Sequence, residues 1–221
     1  MSILNNIEDI RNNIHNIKKK NGEVQLVAVT KMVDIDKAIE VINCGVRDIG
    51  ENRVQEFLNK YELLKEKVNF HLIGHLQSNK VKYIVGKCKL IHSVDSLKLL
   101  SEIEKECKKA NKIQEVLIQV NISNEESKYG VSKKEAMTLI LENEKNSFTK
   151  IKGLMTIAPY TKNVEEIRWV FKELYQLYID IQPKTFYNTS MEFISMGMSN
   201  DYKIAIEEGA NIIRIGSSIF K

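Results

Sequence analysis

Short apolar runs alternate with longer amphipathic stretches from one end of the chain to the other. Runs of the first kind occupy 24–29, 46–49, 70–73, 90–93, 116–121, 151–155, 193–195 and 212–215 and read as strands. Helical three- and four-residue spacing fills the intervals, for example 35–43, 53–67, 97–109, 133–146 and 165–181. Asp34, Asp95 and Ser132 stand where helix N-caps are expected. Strand–helix alternation places helices over the faces of a parallel sheet. Eight strands suit an α/β fold closed into a single (β/α)8 TIM-type barrel, with an open doubly wound sheet as the alternative. An extra N-terminal helix over 3–19, apolar at Ile7, Ile10, Ile14 and Ile17, is expected to pack outside the barrel or plug its bottom.

Composition narrows this. With 221 residues, 43% of them hydrophobic, the chain fills one large core but not two generous domains, so residues 1–221 are expected to form one domain. Pro159 and Pro183 are the only prolines, and no Gly/Ser-rich linker divides the chain. Lys+Arg 33 against Asp+Glu 29 is a small excess without a basic block, which gives no reason to expect nucleic acid as a partner. Cys44, Cys88 and Cys107 are far apart and show no metal-ligand spacing, so neither zinc nor a closed disulfide set is expected. The polar start is unlike a signal peptide, and no apolar run reaches membrane-spanning length. A soluble, cytoplasmic protein with no membrane partner is the expectation.

The first strand ends in Lys31, which puts an ammonium group at the C-terminal mouth of the sheet. In a partly dry barrel its charged form would be disfavoured, making a neutral amine available for Schiff-base chemistry; a solvated lysine closing a strand is the plainer reading. Near the other end, Ser195-Met-Gly-Met-Ser199 and Ile212-Ile-Arg-Ile-Gly-Ser-Ser218 flank a helix-length stretch. Gly and Ser permit close backbone approach and donate to phosphate, and the last two βα loops of such barrels commonly bind phosphate. Glu51 and Asn52, after Gly50, are expected to face the mouth, and His75 to line the pocket. His71 reads as a structural histidine, because two histidines four apart on a strand and loop do not have helical metal-binding spacing. Gln77, Ser78 and Asn79 are either ligand donors or caps for the next helix, and the polar loop 119–130 is long enough to cover a ligand. No phosphate-binding Gly-x-x-x-x-Gly-Lys loop or Gly-x-Ser-x-Gly elbow occurs.

In this order, Val-Ala-Val-Thr-Lys31, Gly50-Glu-Asn-Arg-Val-Gln-Glu56, Phe70-His-Leu-Ile-Gly-His-Leu-Gln-Ser-Asn-Lys80, Gly153-Leu-Met-Thr-Ile157, Ser195-Met-Gly-Met-Ser199 and Arg214-Ile-Gly-Ser-Ser-Ile-Phe220 resemble the YggS/PROSC family of pyridoxal-phosphate homeostasis proteins over nearly the whole chain. The resemblance implies a barrel like the N-terminal domain of bacterial alanine racemase, with pyridoxal 5'-phosphate (PLP) as cofactor. It implies a Schiff base at Lys31, phosphate binding by Ser199, Gly216 and Ser217, and Arg214 facing the pyridine nitrogen, with Asn52 and His75 in the cofactor pocket. Thr30 stands where the family often has serine, and Ser217-Ser218 replaces the commoner Thr-Ala while retaining the first hydroxyl. The implied role is to hold, buffer or deliver PLP to apo PLP enzymes, as a monomer and without efficient catalysis. The alternatives are a PLP-dependent amino-acid racemase and a barrel binding a phosphorylated metabolite noncovalently. Racemases of this type draw a catalytic group from a second β domain, for which this chain has no residues to spare.

Overall fold

Eight parallel strands close on themselves in chain order: β1 (Gln25–Val29), β2 (Asp48–Glu51), β3 (Asn69–Leu72), β4 (Leu90–Val94), β5 (Gln114–Gln119), β6 (Thr149–Met155), β7 (Thr189–Ser195) and β8 (Ile212–Ile215). β8 pairs with β1, bringing Val27 beside Arg214 and so completing the barrel. The structure is a computed structural model that describes residues 2–125 and 128–221. The eight-stranded barrel matches the architecture expected from the alternating pattern.

Side chains alternate across each strand, and the two sets have different fates. Val27, Leu90, Leu117, Met155 and Ile212 point inward and pack into an apolar plug inside the barrel. Ala28, Ile49, Phe70, Ile91, Val116, Ile151, Ile194 and Ile213 point outward into the larger core beneath the helices. That layer is formed by α1 (Ile3–Asn16), α2 (Ile35–Asn43), α3 (Val54–Leu64), α4 (Leu97–Ala110), α5 (Lys133–Asn143), α6 (Val164–Ile181), α7 (Tyr202–Glu207) and the last turn α8 (Ser217–Phe220). Each fully buried Leu, Ile or Phe contributes about 1.5–3 kcal/mol, so these two clusters dominate the stability of the fold. α3 shows the packing most directly, with Phe57 stacked on Tyr61 and both rings tilted against Phe70 of β3.

Helix starts follow local chemistry. Asp34 accepts from the Lys37 N–H, and Ser132 forms a reciprocal capping box with Glu135. Asp95 is not a cap: Ser96 takes that position and accepts from the Leu99 N–H, while the Asp95 carboxylate turns to His75. α1 is shorter than the 3–19 pattern and lies outside the barrel against α2, α7 and α8, burying Ile7, Ile10 and Ile14. Its buried Asn6 donates to the carbonyls of Ile219 and Lys221 and so ties down α8. Between β3 and β4 the crossover is a 3-10 helix, Ser78–Tyr83, whose first turn receives no side-chain cap from Gln77. Among the described residues no helix is long and apolar enough to cross a membrane.

Candidate functional site at the barrel mouth

Lys31 stands two residues beyond the end of β1, in phase with inward-pointing Val27. It follows the C-terminal end of β1, at the face on which barrels build their sites. It is exposed, so the partly dry environment expected for it is absent. β1 ends at Val29, and Lys31 and Met32 lie in the turn that follows it.

The β8 loop lies directly beside this end of β1. A Cβ on Gly216 would sit 3.2 Å from the Val29 Cβ and 3.3 Å from the Val29 carbonyl oxygen, so the missing side chain permits the contact. The β7 loop joins from the other side: Ser199 Oγ accepts from the Ser218 N–H at 3.2 Å. Gly197, at φ +90, turns the chain out of β7, and a Cβ there would fall 2.5 Å from that of Ala205. Ser199, Gly216 and Ser217 are thus gathered where two loops meet, close to the strand that leads to Lys31.

Arg214 lies deeper, 4% exposed at the top of β8. Its Nη1 donates to Ser195 Oγ at 2.5 Å and its Nη2 to the Thr156 carbonyl at 2.9 Å. Burial pulls its pKa down to about 10, which leaves it cationic at neutral pH. The contacts continue across the barrel. Ser195 Oγ is 2.9 Å from His92 Nδ1, His92 Nε2 is 2.9 Å from His71 Nδ1, and His71 Nε2 is 3.1 Å from Asp48 Oδ1. Arginine only donates and an ionised aspartate only accepts, so the two ends of this series are fixed. Arg214 donates to Ser195 Oγ and His71 Nε2–H donates to Asp48, with His92 bridging Ser195 and His71 between them. Burial drives the pKa of His92 well below its ordinary value, with His71 and Arg214 adding repulsion. Burial would raise Asp48, but hydrogen bonds from His71 and Asn69 outweigh it and hold the carboxyl below its usual range. A buried cation is thereby linked through Ser195, His92 and His71 to an anion at the opposite end of the barrel. There Asp48 lines a separate cavity of ≈ 440 Å³ with Arg11, His15 and Arg47.

Glu51 does not face the mouth. Asp48 and Gly50 point inward, so Glu51 is thrown outward beneath α3, where its buried Oε1 accepts from Thr30 Oγ1 at 2.6 Å and Lys60 Nζ at 2.7 Å. Burial raises its pKa despite Lys60 and Thr30. Asn52 and His75 share a cavity of ≈ 550 Å³ with Arg53, Gln77 and Lys80 on the α3 side of the mouth; Lys31 and the β7–β8 residues are not part of its lining. His75 Nδ1 is 3.2 Å from Asp95 Oδ2, and its ring stacks on Tyr129 with centroids 4.0 Å apart. His71 is buried in the barrel, the structural placement expected for it. In the polar loop 119–130, Asn121 holds the carbonyls of Glu125 and Lys128, while Glu126 and Ser127 lie outside the described residues. The sequence reading did not single out His92, Ser195, Thr156 or Lys60 as site residues. Inward parity within the Leu90-Ile-His-Ser-Val run was the available signal for His92.

The sequence family described as "Alanine racemase, N-terminal domain" matches residues 6–221. A protein of Aquifex aeolicus named pyridoxal phosphate homeostasis protein is 46% identical over 197 residues, covering 89% of this chain and 86% of the relative. Among solved structures, PipY of Synechococcus elongatus with PLP bound superposes with a TM-score of 0.88 at 28% identity, over 100% of both chains. Alanine racemase of Clostridium difficile gives a TM-score of 0.79 at 15% identity, over 98% of this chain and 56% of the racemase, a likeness of fold.

Proposed function

Since the chain belongs to the alanine racemase N-terminal-domain family, we propose that it binds PLP at the barrel mouth, holds it covalently on Lys31 and delivers it to apo PLP enzymes. The observation that carries this reading is the convergence of three unlike groups on one end of the barrel. These are Lys31 just past β1, the β8 loop whose Gly216 packs on Val29 and whose Ser218 is bonded to Ser199 of the β7 loop, and the buried Arg214 beside β1. The same three kinds of group suit the aldehyde, the phosphate and the pyridine ring of PLP. The PLP-bound PipY and the homeostasis proteins named above support the same assignment for this chain.

When bound, PLP supplies an aldehyde with which a neutral amine condenses, the carbonyl oxygen leaving as water with both amine protons. The protein's part is to hold the reactants. Ser199 and Ser217 offer hydroxyls to the phosphate, each charge-assisted bond contributing about 1.5–3 kcal/mol. Gly216 keeps the loop backbone free of a side chain at the point of closest approach. Arg214, immobilised by Ser195 and Thr156, presents a positive charge that opposes protonation of a facing ring nitrogen. A ring kept neutral is a weaker electron sink, which favours holding the cofactor over carbanion chemistry. Exposure of Lys31 suits exchange, because an acceptor can reach the covalent bond from outside.

The test is an absorbance spectrum of the purified protein with PLP, followed by borohydride reduction and peptide mapping. We expect visible yellow absorbance and a stable adduct on Lys31 that Lys31→Ala abolishes. An adduct mainly on Lys80 or Lys128 refutes the assignment, and tight binding without visible absorbance leaves a noncovalent phosphate binder.

A further inference from the structure

The turn carrying Lys31 is held from outside the barrel, by the helix behind the neighbouring strand. Lys60 of α3 sends its Nζ to the Thr30 carbonyl at 2.5 Å and to Glu51 Oε1 at 2.7 Å. One helical turn earlier, Glu56 Oε2 accepts from the Met32 N–H at 2.9 Å. Positions four apart share one helix face, so α3 presents a cation and an anion side by side to the same short segment. The groups they grip are the two peptide units flanking Lys31, the carbonyl before it and the N–H after it. Thr30 is further secured by its N–H on the Gly50 carbonyl and its hydroxyl on Glu51.

Stability does not account for this arrangement. Lys60 is 8% exposed and Glu51 is fully buried, so both charges are taken out of water. Replacing such a pair by apolar residues is often neutral or stabilising. Glu51 Oε2, moreover, is buried without a hydrogen-bond partner among the described residues. At the other end of the grip, Met32 is 90% exposed, so water could satisfy its N–H if Glu56 were absent. Met32 also adopts φ 57, a left-handed conformation that a non-glycine residue keeps only where its surroundings hold it.

We propose that Glu56 and Lys60, braced by Glu51, are positioning residues that clamp both peptide groups around Lys31 and so aim its amine at the cofactor's aldehyde. The proposal rests on Lys31 being the lysine joined to PLP. It assigns α3 a role in how readily the carbon–nitrogen bond forms, separate from binding of the ring and phosphate. Aim matters for this step because a misplacement of about 1 Å can cost on the order of a hundredfold.

The experiment compares two ligands on the full-length protein. PLP binds and condenses, whereas 4-deoxypyridoxine 5'-phosphate carries the same ring and phosphate but has no aldehyde. Affinities for both, and the rate of borohydride-trapped labelling at Lys31, are measured for wild type, Glu56→Ala and the paired change Glu51→Gln/Lys60→Met. The paired change leaves no lone buried charge, and Glu56→Ala removes only a contact to an exposed N–H, so thermal melts should show both folded. We expect each to weaken PLP binding and slow Lys31 labelling by about tenfold or more, with the deoxy analogue affected less than about twofold. Glu56→Gln, whose side-chain carbonyl still accepts from Met32, should recover most of the loss. Equal weakening of both ligands, or unchanged labelling at Lys31, overturns the clamp. Absence of any Lys31 adduct in the wild type is a different failure, that of the covalent reading itself.

Discussion

Acidification should expose the neutral His92 at the centre of the relay between Arg214 and Asp48. In the unfolded chain this histidine takes up a proton near pH 6.5, whereas in the fold burial, His71 and Arg214 hold its pKa well below that. Between the two values the unfolded state binds more protons, so stability rises with pH through this window. The contribution is complete above about 6.5 and is lost as pH falls towards the folded value. If the folded histidine stays neutral, the loss between pH 7.5 and 5.5 is about 1.4 kcal/mol, nearly all of it below pH 7. Asp48, held below its usual range, loses its contribution only at much lower pH. Glu51, raised by burial, changes stability in the opposite sense above its ordinary value. The assay must therefore be a difference: urea unfolding of wild type and His92→Gln at pH 7.5, 6.5 and 5.5. His92→Gln should be less stable at pH 7.5 because the relay is broken, and the gap should narrow by about 1.4 kcal/mol on going to pH 5.5. A gap that stays constant, or widens with acid, would show that His92 takes up its proton in the fold at least as readily as in the unfolded chain and refute its being held neutral by burial.

Two further outcomes follow from the loops. Ser199→Ala/Ser217→Ala should weaken PLP by about 1.5–3 kcal/mol for each lost hydroxyl contact while leaving pyridoxal without phosphate unaffected, as measured by fluorescence titration; parallel losses for both ligands would remove the phosphate from these residues. Gly197→Ala combines a left-handed backbone with a Cβ 2.5 Å from that of Ala205, so unfolding in urea should reveal destabilisation on the order of 2–4 kcal/mol. A change within about 0.5 kcal/mol would mean that the β7 turn relaxes without cost.

Much of the barrel was legible because its strands and helices differ in period. The apolar runs could be counted as eight strands, and the helical spacing in 35–43 or 165–181 reappears almost residue for residue in α2 and α6. The failures occur where adjacent residues compete for one role. Asp95 and Ser96 are both good cap residues, and the choice fell to Ser96 because His75 draws the Asp95 carboxylate away. Glu51 follows a glycine at a strand end, a context that suggests a mouth residue. Strand parity counted from Asp48 instead turns it outward, and a lysine nine positions later on α3 makes that burial tolerable.

The relay illustrates a different limit. Asp48, His71, His92, Ser195 and Arg214 each occupy an inward position on their own strands, and parity alone could have marked them. Their contact depends on how five strands are staggered around the closed barrel, which no single segment encodes. The cluster Val27, Leu90, Leu117, Met155 and Ile212 fills the interior with apolar side chains, so a polar group inside must find its partners among other inward residues. The Arg214 guanidinium finds its partners in Ser195 Oγ and the Thr156 carbonyl, and His92 and His71 carry the contacts on to Asp48. His71, Ser195 and Thr156 lie within recognisable motifs, yet their shared task of partnering a buried Arg214, together with His92, becomes visible only once the barrel is closed.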